Sequence, residues 1–169
     1  MRVGFGYDVH RFVVGRPLML GGIEIPHEQG LLGHSDADVL AHALADAVLG
    51  AIRAGDIGTL FPDTDPAYRD ADSLQLLAAV GSLAAEQGWR LVDADCVLIL
   101  ERPKVSAYRD RMRENLADAL GVGVECIGVK ATTTERLGFA GREEGVAAQA
   151  VVLMESAGPS PRHVSALVD

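Results

Sequence analysis

An Asp-x-His pair lies close to the N-terminus, at Asp8 and His10, and a further histidine, His42, follows in a segment with helical periodicity. If residues 3–10 form a β-strand, in which positions i and i+2 point to the same face, Asp8 and His10 could bind one cation together. A carboxylate with two imidazoles suits zinc, and three protein ligands leave the fourth tetrahedral position open for substrate or water. The alternative is that these are ordinary hydrogen-bonded histidines, because so short a motif often occurs by chance.

Two carboxylates flank His42 on its predicted helix, Asp38 one turn before it and Asp46 one turn after it. Residues four apart share a helix face, and a metal-bound imidazole usually donates its second N–H to a carboxylate. Asp46, or else Asp38, is therefore predicted to orient His42 from the second coordination shell. A solvated acidic face that carries an incidental histidine is the other interpretation of this pattern.

His34 and Ser35 come immediately before this helix. A helix N-terminus presents free N–H groups and the positive end of its dipole, which together favour phosphate binding. Ser35 is also expected to be the N-cap, with Asp38 three residues later as a capping-box variant. Capping alone would explain the hydroxyl, and phosphate binding is a second inference from the same residues.

The loop that follows, from Gly55 to Pro66, contains Asp56, Asp63 and Asp65. Their carboxylates could accept hydrogen bonds from a polyol, and the loop could close over a ligand. A well-punctuated Asp-Pro turn explains these residues equally well.

A second polar cluster, residues 130–142, begins in a late strand and holds three consecutive threonines, Glu135 and two arginines. Hydroxyl, carboxylate and guanidinium groups at a strand exit suit a phosphorylated ligand and a hard cation. A threonine run is also ordinary β-sequence. Residues 101–104, which end in Lys104, follow another strand and are either a weaker part of the same site or a strand-to-helix turn.

Length, net charge and cysteine content limit the classes of protein to which this chain can belong. The chain has 169 residues with 24 acidic and 15 basic side chains, a formal net charge of −9. One domain with a sizeable core suits this length, and an acidic surface disfavours nucleic acid and anionic membranes. We expect no signal peptide and no membrane-spanning segment. Cys96 and Cys126 suit small buried thiols in a reducing cytoplasm.

Periodicity and turn residues predict a mixed α/β chain. Strands are predicted over 2–7, 91–100, 127–132 and 145–154, with a hairpin over 18–25. Helices are predicted between Ser35 and Gly55, from Asp72 to about Gly88, and over 107–120 until Gly121 stops the last one. Residues 1–155 are expected to form one domain, and residues 156–169 a loose tail.

Together these segments resemble one family, the 2-C-methyl-D-erythritol 2,4-cyclodiphosphate synthases of the non-mevalonate isoprenoid (MEP) pathway. The matching segments are distributed from residue 4 to about residue 154 in the family's order and spacing. They are Gly6–His10, Gly33–Asp38, His42 with Asp46, Gly55–Gly58, Phe61–Pro66, Pro103–Lys104 and Lys130–Arg142.

The resemblance implies an α/β (α+β) single-domain subunit with a mixed β-sheet and helices packed on one face. It implies a homotrimer with its sheets facing the three-fold axis and its active sites at subunit interfaces. Asp8, His10 and His42 would bind one zinc ion per subunit, and Glu135 would bind Mg²⁺ or Mn²⁺ on the substrate diphosphate. The other implied substrate contacts are His34, Ser35, Asp56, Ile57, Gly58, Phe61, Asp63, Asp65, Lys104, Ala131, Thr132, Thr133, Thr134, Phe139 and Arg142.

The implied reaction converts 4-diphosphocytidyl-2-C-methyl-D-erythritol 2-phosphate into the 2,4-cyclodiphosphate and CMP. An oxygen of the substrate's own 2-phosphate attacks the β-phosphorus, so the enzyme's task is positioning, which can supply roughly 7–11 kcal/mol. His34 and Thr133 would stabilise the transition state. A zinc-dependent phosphoester hydrolase and a non-catalytic trimeric nucleotide-binding module are the alternatives, and the threonine run disfavours the hydrolase because hydrolysis requires no nucleotide pocket.

Overall fold

A computed structural model describes residues 1–62, 64–65 and 71–157. The strands are β1 Arg2–Val14, β2 Leu18–Leu20, β3 Ile23–Ile25, β4 Gln29–Leu31, β5 Trp89–Ile99, β6 Ile127–Thr132 and β7 Gly145–Ser156. The helices are α1 Val39–Ile52, α2 Ile57–Leu60, α3 Ser73–Glu86, α4 Arg109–Leu120 and α5 Gly138–Gly141, with 3₁₀ turns at Ser106–Tyr108 and Val124–Cys126. Among the helices described, none is long and apolar enough to cross a membrane.

Five strands of the described chain form one mixed sheet in the order β4-β1-β7-β5-β6. β7 runs antiparallel to β1 and β5, whereas β5 and β6 are parallel and are connected through α4. Parallel neighbours need such a crossover, which is usually helical. α1 packs on β1 and β7, α3 covers α1, and β2 with β3 forms a separate hairpin against β4. The predicted single-domain α+β class is confirmed.

The two faces of β1 differ because side chains alternate along a strand. Gly4 and Gly6 face α1, and a Cβ added at Gly6 would lie 1.9 Å from the carbonyl oxygen of Ala43. The absent side chains therefore let the helix backbone contact the strand directly. Asp8 and His10 continue this face toward the first turn of α1. The opposite face is apolar and between 43% and 63% exposed in the single chain, at Val3, Phe5, Tyr7 and Val9.

Helix α1 begins after Asp38, not directly after Ser35. The fully buried Asp38 is the N-cap, and its Oδ1 accepts the N–H groups of Leu40 and Ala41 at 3.1 Å each. Burial raises the pKa of this carboxyl group. The prediction of Ser35 as N-cap is wrong because Ala37, with φ of 59°, is in the left-handed region and cannot be a helical residue.

Some of the other helix and strand boundaries lie where the local sequence pattern predicts them, and others do not. Asp72 caps α3 and the left-handed Gly121 ends α4, as predicted. α1 ends at the left-handed Arg53 and not at Gly55. β4, α2 and α5 were not predicted, because elements of three or four residues carry no measurable periodicity. Of the predicted tail, residues 158–169 lie outside the described residues.

Candidate active site

Asp8, His10 and His42 converge where β1 meets the first turn of α1. Oδ2 of Asp8 lies 3.0 Å from Nε2 of His10 and 3.0 Å from Nδ1 of His42. The two ring nitrogens are 3.2 Å apart. A tetrahedral zinc ion with bonds of about 2.0–2.1 Å has its ligand atoms roughly 3.3 Å apart. The three atoms therefore form a triangle that fits one small divalent cation, and the predicted convergence of these side chains is confirmed.

The charges within this triad keep the Asp8 carboxylate ionised. Burial raises the pKa of Asp8, but hydrogen bonds and charge attraction from His10 and His42 outweigh this effect and hold the pKa well below its ordinary value. Burial lowers the pKa of His10, whereas Asp8 raises it, and the net shift is upward. Asp8 is thus ionised throughout the neutral range, which is the form in which a carboxylate binds a metal.

The second nitrogen of each imidazole has a partner of its own. Nδ1 of His10 lies 2.7 Å from the carbonyl oxygen of Leu32, to which it can only donate. Nε2 of His42 lies 2.8 Å from Oγ of Ser73 and 3.1 Å from Oγ of Ser35. Each ring is therefore fixed from the side opposite to the triad.

The prediction that Asp46 or Asp38 orients His42 through a hydrogen bond is wrong. Asp46 accepts the backbone N–H of Ile57 at 2.7 Å, and Asp38 is engaged in capping α1. Burial raises the pKa of Asp46. Its carboxylate connects α1 to the start of α2, and its interaction with the His42 imidazole is charge attraction, which lowers its pKa, and not a hydrogen bond.

A cavity of about 320 Å³ opens beside the triad. The turn before α1 supplies a polar wall with His34 and Ser35, and α2 with its following residue supplies an apolar one. Such a combination suits a ligand with both a carbon skeleton and phosphate groups. The cavity is lined by His10, Gly33, His34, Ser35, His42, Ile57, Gly58, Phe61 and Leu76.

The phosphate site predicted at the N-terminus of α1 is not available there. Asp38 already accepts the free N–H groups of the first turn, and its carboxylate places negative charge where a phosphate was expected. His34 and Ser35 line the cavity from the preceding turn. Any phosphate near them would be bound by side chains and not by the helix end.

The loop from Gly55 to Pro66 was predicted to offer three aspartates to a ligand, and the structure describes two of them. Asp56 is exposed and caps α2 by accepting the N–H of Thr59 at 2.7 Å, a hydrogen bond that lowers its pKa. The backbone carbonyl of Asp65 lies 3.4 Å from Nε2 of His34. Asp63 lies outside the described residues.

Lys104, Ala131, Thr132 and Thr133, which the resemblance implies as contacts to the cytidine part of the substrate, line a different cavity of about 170 Å³. Its walls come from the ends of β5 and β6, which are adjacent because these strands are parallel. Among the described residues it shares no lining residue with the first cavity, so the described part of one chain does not bring these contacts together with the triad. The lining residues are Leu100, Pro103, Lys104, Val105, Ser106, Ala131, Thr132 and Thr133.

Glu101 shapes the loop that follows β6. Its Oε1 accepts the N–H groups of Arg136 at 3.0 Å and Thr134 at 3.1 Å, and the first of these bonds contributes most to lowering its pKa. Glu135 and Arg136 have φ of 52° and 67°, a left-handed conformation that costs roughly 1–2 kcal/mol per residue. Glu101 offsets this cost and holds Glu135 beside Thr133, whose hydroxyl donates to Glu135 Oε1 at 3.0 Å.

Phe139 and Arg142 belong to α5 and its end. Phe139 lines a third cavity of about 440 Å³ that also touches His10 and Leu32. Arg142 donates from Nε to Glu144 at 2.8 Å, and this pair raises the pKa of Arg142. The guanidinium therefore has a partner within the chain.

Several residues that fix the site were missed from the sequence. Arg16 donates to the carbonyl oxygen of Gly33 at 2.7 Å and to that of Ser35, and so holds the turn that lines the main cavity. Ser73 and Asp36 hold His42 from behind. No local motif signals these contacts, because each joins segments that are distant in the sequence.

Three comparisons place the chain among known proteins. A model described as the YgbB family matches residues 1–155. The 2-C-methyl-D-erythritol 2,4-cyclodiphosphate synthase of Geobacillus thermodenitrificans (strain NG80-2) is 61% identical over 154 residues, which are 91% of this chain and 96% of the relative.

Solved structures agree with this result. The bifunctional IspDF from Campylobacter jejuni superposes with a TM-score of 0.88 at 44% identity; the match covers 92% of this chain but only 42% of that longer chain. A 2C-methyl-D-erythritol-2,4-cyclodiphosphate synthase in its CDP-bound form superposes with a TM-score of 0.83 at 42% identity, over 91% of this chain and 100% of the other.

Proposed function

Because the chain belongs to the YgbB family, we propose that it converts 4-diphosphocytidyl-2-C-methyl-D-erythritol 2-phosphate into 2-C-methyl-D-erythritol 2,4-cyclodiphosphate and CMP. The observation that carries the proposal is the triad of Asp8, His10 and His42, which opens onto a cavity of suitable chemistry. The names of the relatives support this reaction.

In this reaction the chain supplies position and charge, and the nucleophile is an oxygen of the substrate itself. Ile57 and Phe61 would exclude water from the methylerythritol, and Asp56 would accept a hydrogen bond from one of its hydroxyls. His34 and Thr133 would donate to phosphate oxygens as charge moves from the attacking to the leaving oxygen. Zinc, when bound by the triad, supplies Lewis-acid polarisation of a phosphate oxygen. Holding both reacting phosphates in line can contribute roughly 7–11 kcal/mol.

Phosphorus NMR of the products tests the reaction. We expect a cyclic diphosphate and CMP from the wild type, and neither from His42→Ala, which should also lose zinc in elemental analysis. His27→Ala is the matched control, because within the described residues His27 hydrogen-bonds only to the Gln29 backbone, packs on Phe12 and is not part of the triad. Linear methylerythritol phosphates with CMP would indicate a hydrolase, and no turnover at all would indicate a binding module.

Glu135 is proposed as the ligand of Mg²⁺ or Mn²⁺ on the diphosphate. Its carboxylate is exposed and lies beside Thr133, at the edge of the cavity with Lys104. Carboxylate oxygens with water and phosphate are the usual surroundings of these ions. Glu135→Gln should raise the Mg²⁺ concentration needed for turnover, and an unchanged titration would refute the assignment.

A homotrimer is proposed from the exposed face of the sheet. Val3, Phe5, Tyr7 and Val9 form an apolar row on β1, and the exposed Val151 lies on the neighbouring β7. Contiguous apolar patches of this kind usually mark an interface. Phe5→Glu should reduce the mass measured by light scattering to that of one chain. Val124→Glu, at an exposed apolar residue outside this sheet, should leave the mass unchanged.

Active sites shared between subunits would join the two cavities that one chain keeps apart. The triad of one subunit would then face the Lys104 cavity of its neighbour. His42→Ala and Lys104→Ala should each be inactive alone and should recover activity when the two chains are mixed and reassembled. Failure of the mixed assembly to recover activity would contradict a shared site.

We expect the protein to act in the cytoplasm. Cys96 and Cys126 are both free thiols. Unpaired cysteines are typical of reducing compartments.

A further inference from the structure

A chain of hydrogen bonds leads from the triad into the protein behind His42. Nε2 of His42 lies 2.8 Å from Oγ of Ser73, and the Ser73 hydroxyl in turn donates to Oδ1 of Asp36. Oδ2 of Asp36 accepts the Ser73 N–H at 3.2 Å, and Oδ1 also accepts the N–H of Asp38 at 3.1 Å. Asp36 therefore receives three donors and holds both polar groups of Ser73.

From this arrangement we infer that Ser73, held by Asp36, is a positioning residue that fixes the tautomer of His42 for metal binding. The inference rests on the metal site of the proposed function. Since the Ser73 hydroxyl proton is donated to Asp36, its oxygen can only accept from His42. Nε2 of His42 must then donate its proton to Ser73. Nδ1, which lies 3.0 Å from Asp8 and hydrogen-bonds to it, is then the nitrogen that gives up its proton and offers its lone pair when a metal binds.

Ser35 does not provide the same control. Its oxygen lies 3.1 Å from Nε2 of His42, compared with 2.8 Å for Ser73. It already accepts the N–H of Ala37 at 3.1 Å and lies 3.3 Å from Oγ of Ser73, and no carboxylate of the described residues holds its hydroxyl proton. Ser35 could therefore donate or accept toward His42, whereas Ser73 can only accept.

The two imidazoles of the triad are thus fixed by different means. Nδ1 of His10 donates to the backbone carbonyl of Leu32, which no substitution can remove. His42 depends on two side chains, one of them the first residue of α3. The buried Ser73 therefore ties the start of α3 to the first turn of α1.

Two substitutions interrupt the hydrogen bonds that join His42, Ser73 and Asp36, each in a different way. Ser73→Ala removes the nearer acceptor of the Nε2 proton, at 2.8 Å, and leaves the more distant hydroxyl of Ser35, at 3.1 Å. Asp36→Asn places an amide beside Ser73 that can donate to the Ser73 hydroxyl. This hydroxyl would then turn its proton toward Nε2 of His42 and favour the ring that is protonated at Nδ1. Such a ring cannot bind metal through Nδ1. Loss of such an outer partner typically weakens metal binding 10–100-fold. Ser73→Thr keeps the hydroxyl and should restore most of the affinity.

The experiment measures two quantities on the full chain. Zinc affinity is obtained by competition with a chromophoric chelator, and the His42 tautomer by ¹⁵N chemical shifts of the zinc-loaded chain. We expect Nε2–H in the wild type and 10–100-fold weaker zinc binding in Ser73→Ala and Asp36→Asn. Ser82→Ala is the control, because in the described part of the chain the hydroxyl of this α3 serine bonds only to the Ala78 carbonyl, so the variant should behave as wild type.

The outcomes separate the inference from the proposed function. Wild-type zinc affinity in Ser73→Ala, or an Nδ1–H tautomer in the wild type, would overturn the role of Ser73. A wild type that binds zinc but forms no cyclic product would contradict the proposed reaction and leave the tautomer result standing. Unaltered melting temperatures of the variants would separate positioning from a general loss of structure.

Discussion

Gly6→Ala tests most directly how the site is assembled. Gly6 lies where α1 crosses β1, and a Cβ there would be 1.9 Å from the carbonyl oxygen of Ala43 and 2.7 Å from the backbone nitrogen of Ala47. Backbone atoms cannot rotate away, so the helix would have to withdraw by about 1.5 Å to restore ordinary contact. Because α1 carries His42 and β1 carries Asp8, this movement would open the triad.

The magnitude follows from two separate costs. Overpacking of a close contact typically costs about 1–3 kcal/mol, and a backbone contact belongs at the upper end. For a chain of this size, 3 kcal/mol corresponds to a fall of roughly 6–12 °C in melting temperature. A metal site must be held to within about 0.5 Å, and a displacement of about 1 Å can reduce catalysis by about 10²-fold. Zinc and activity should therefore be lost while the chain is still folded at 25 °C.

Gly50→Ala is the matched control within the same helix. A Cβ at Gly50 would meet only the carbonyl oxygen of Phe5, at 4.0 Å. Replacing a helical glycine by alanine without a clash should stabilise the chain by about 0.5–1 kcal/mol. Circular dichroism gives both melting temperatures, and elemental analysis after dialysis gives the zinc content. A Gly6→Ala chain with the wild-type melting temperature and zinc content would refute the direct contact between helix and strand.

Three further predictions concern the supports of the site and the thiols. Arg16→Ala removes two charge-assisted hydrogen bonds from the cavity turn and should lower the free energy of unfolding by about 1.5–3 kcal/mol in urea titrations; an unchanged midpoint would contradict this role. The backbone hydrogen bonds to Glu101 lower its pKa, so its charged form stabilises the fold above the ordinary glutamate range, and this contribution is lost as pH falls through the lowered pKa. The midpoints of the wild type and Glu101→Gln should therefore differ at neutral pH and converge in acid, and a constant difference would show that the charge is not responsible. Burial raises the pKa of Cys96 to about 12, whereas Cys126 is partly exposed, so a thiol reagent should label only Cys126 in the native chain; rapid labelling of both would disprove the burial argument.

Local rules suggested the triad, and the resemblance to the family decided for a metal site over ordinary hydrogen-bonded histidines. Asp8 and His10 share a face through the two-residue period of a strand. His42 lies in a segment whose apolar residues repeat at helical spacing. The local rules failed at the start of α1, where either of two side chains could accept the free N–H groups of the first turn. Ser35 and Asp38 both suit an N-cap, and the left-handed Ala37 between them decides for Asp38.

The supports of the triad could not be predicted, because they depend on contacts between distant segments. Ser73 reaches His42 across 31 positions of the chain, and its place after a capping Asp72 gives no sign of this contact. For Asp46 the error was the opposite one, because a hydrogen bond to His42 was predicted that the structure does not form. It shares a helix face with His42, yet the N–H of Ile57 competes for its carboxylate and binds it at 2.7 Å. Helical spacing brings side chains near one another but does not decide which donor each acceptor takes.

Alternation along β1 explains why the metal site and the proposed assembly face are compatible in one strand. Even positions first carry glycine, which admits α1, and then Asp8 and His10, which reach His42 on that helix. Odd positions carry the apolar row that includes Phe5. A shift of one residue would exchange the two faces and would put the ligands on the apolar side. Substitution of Phe5 should therefore disturb assembly and leave zinc bound, so a monomer that keeps its zinc but loses turnover would favour an active site shared between subunits.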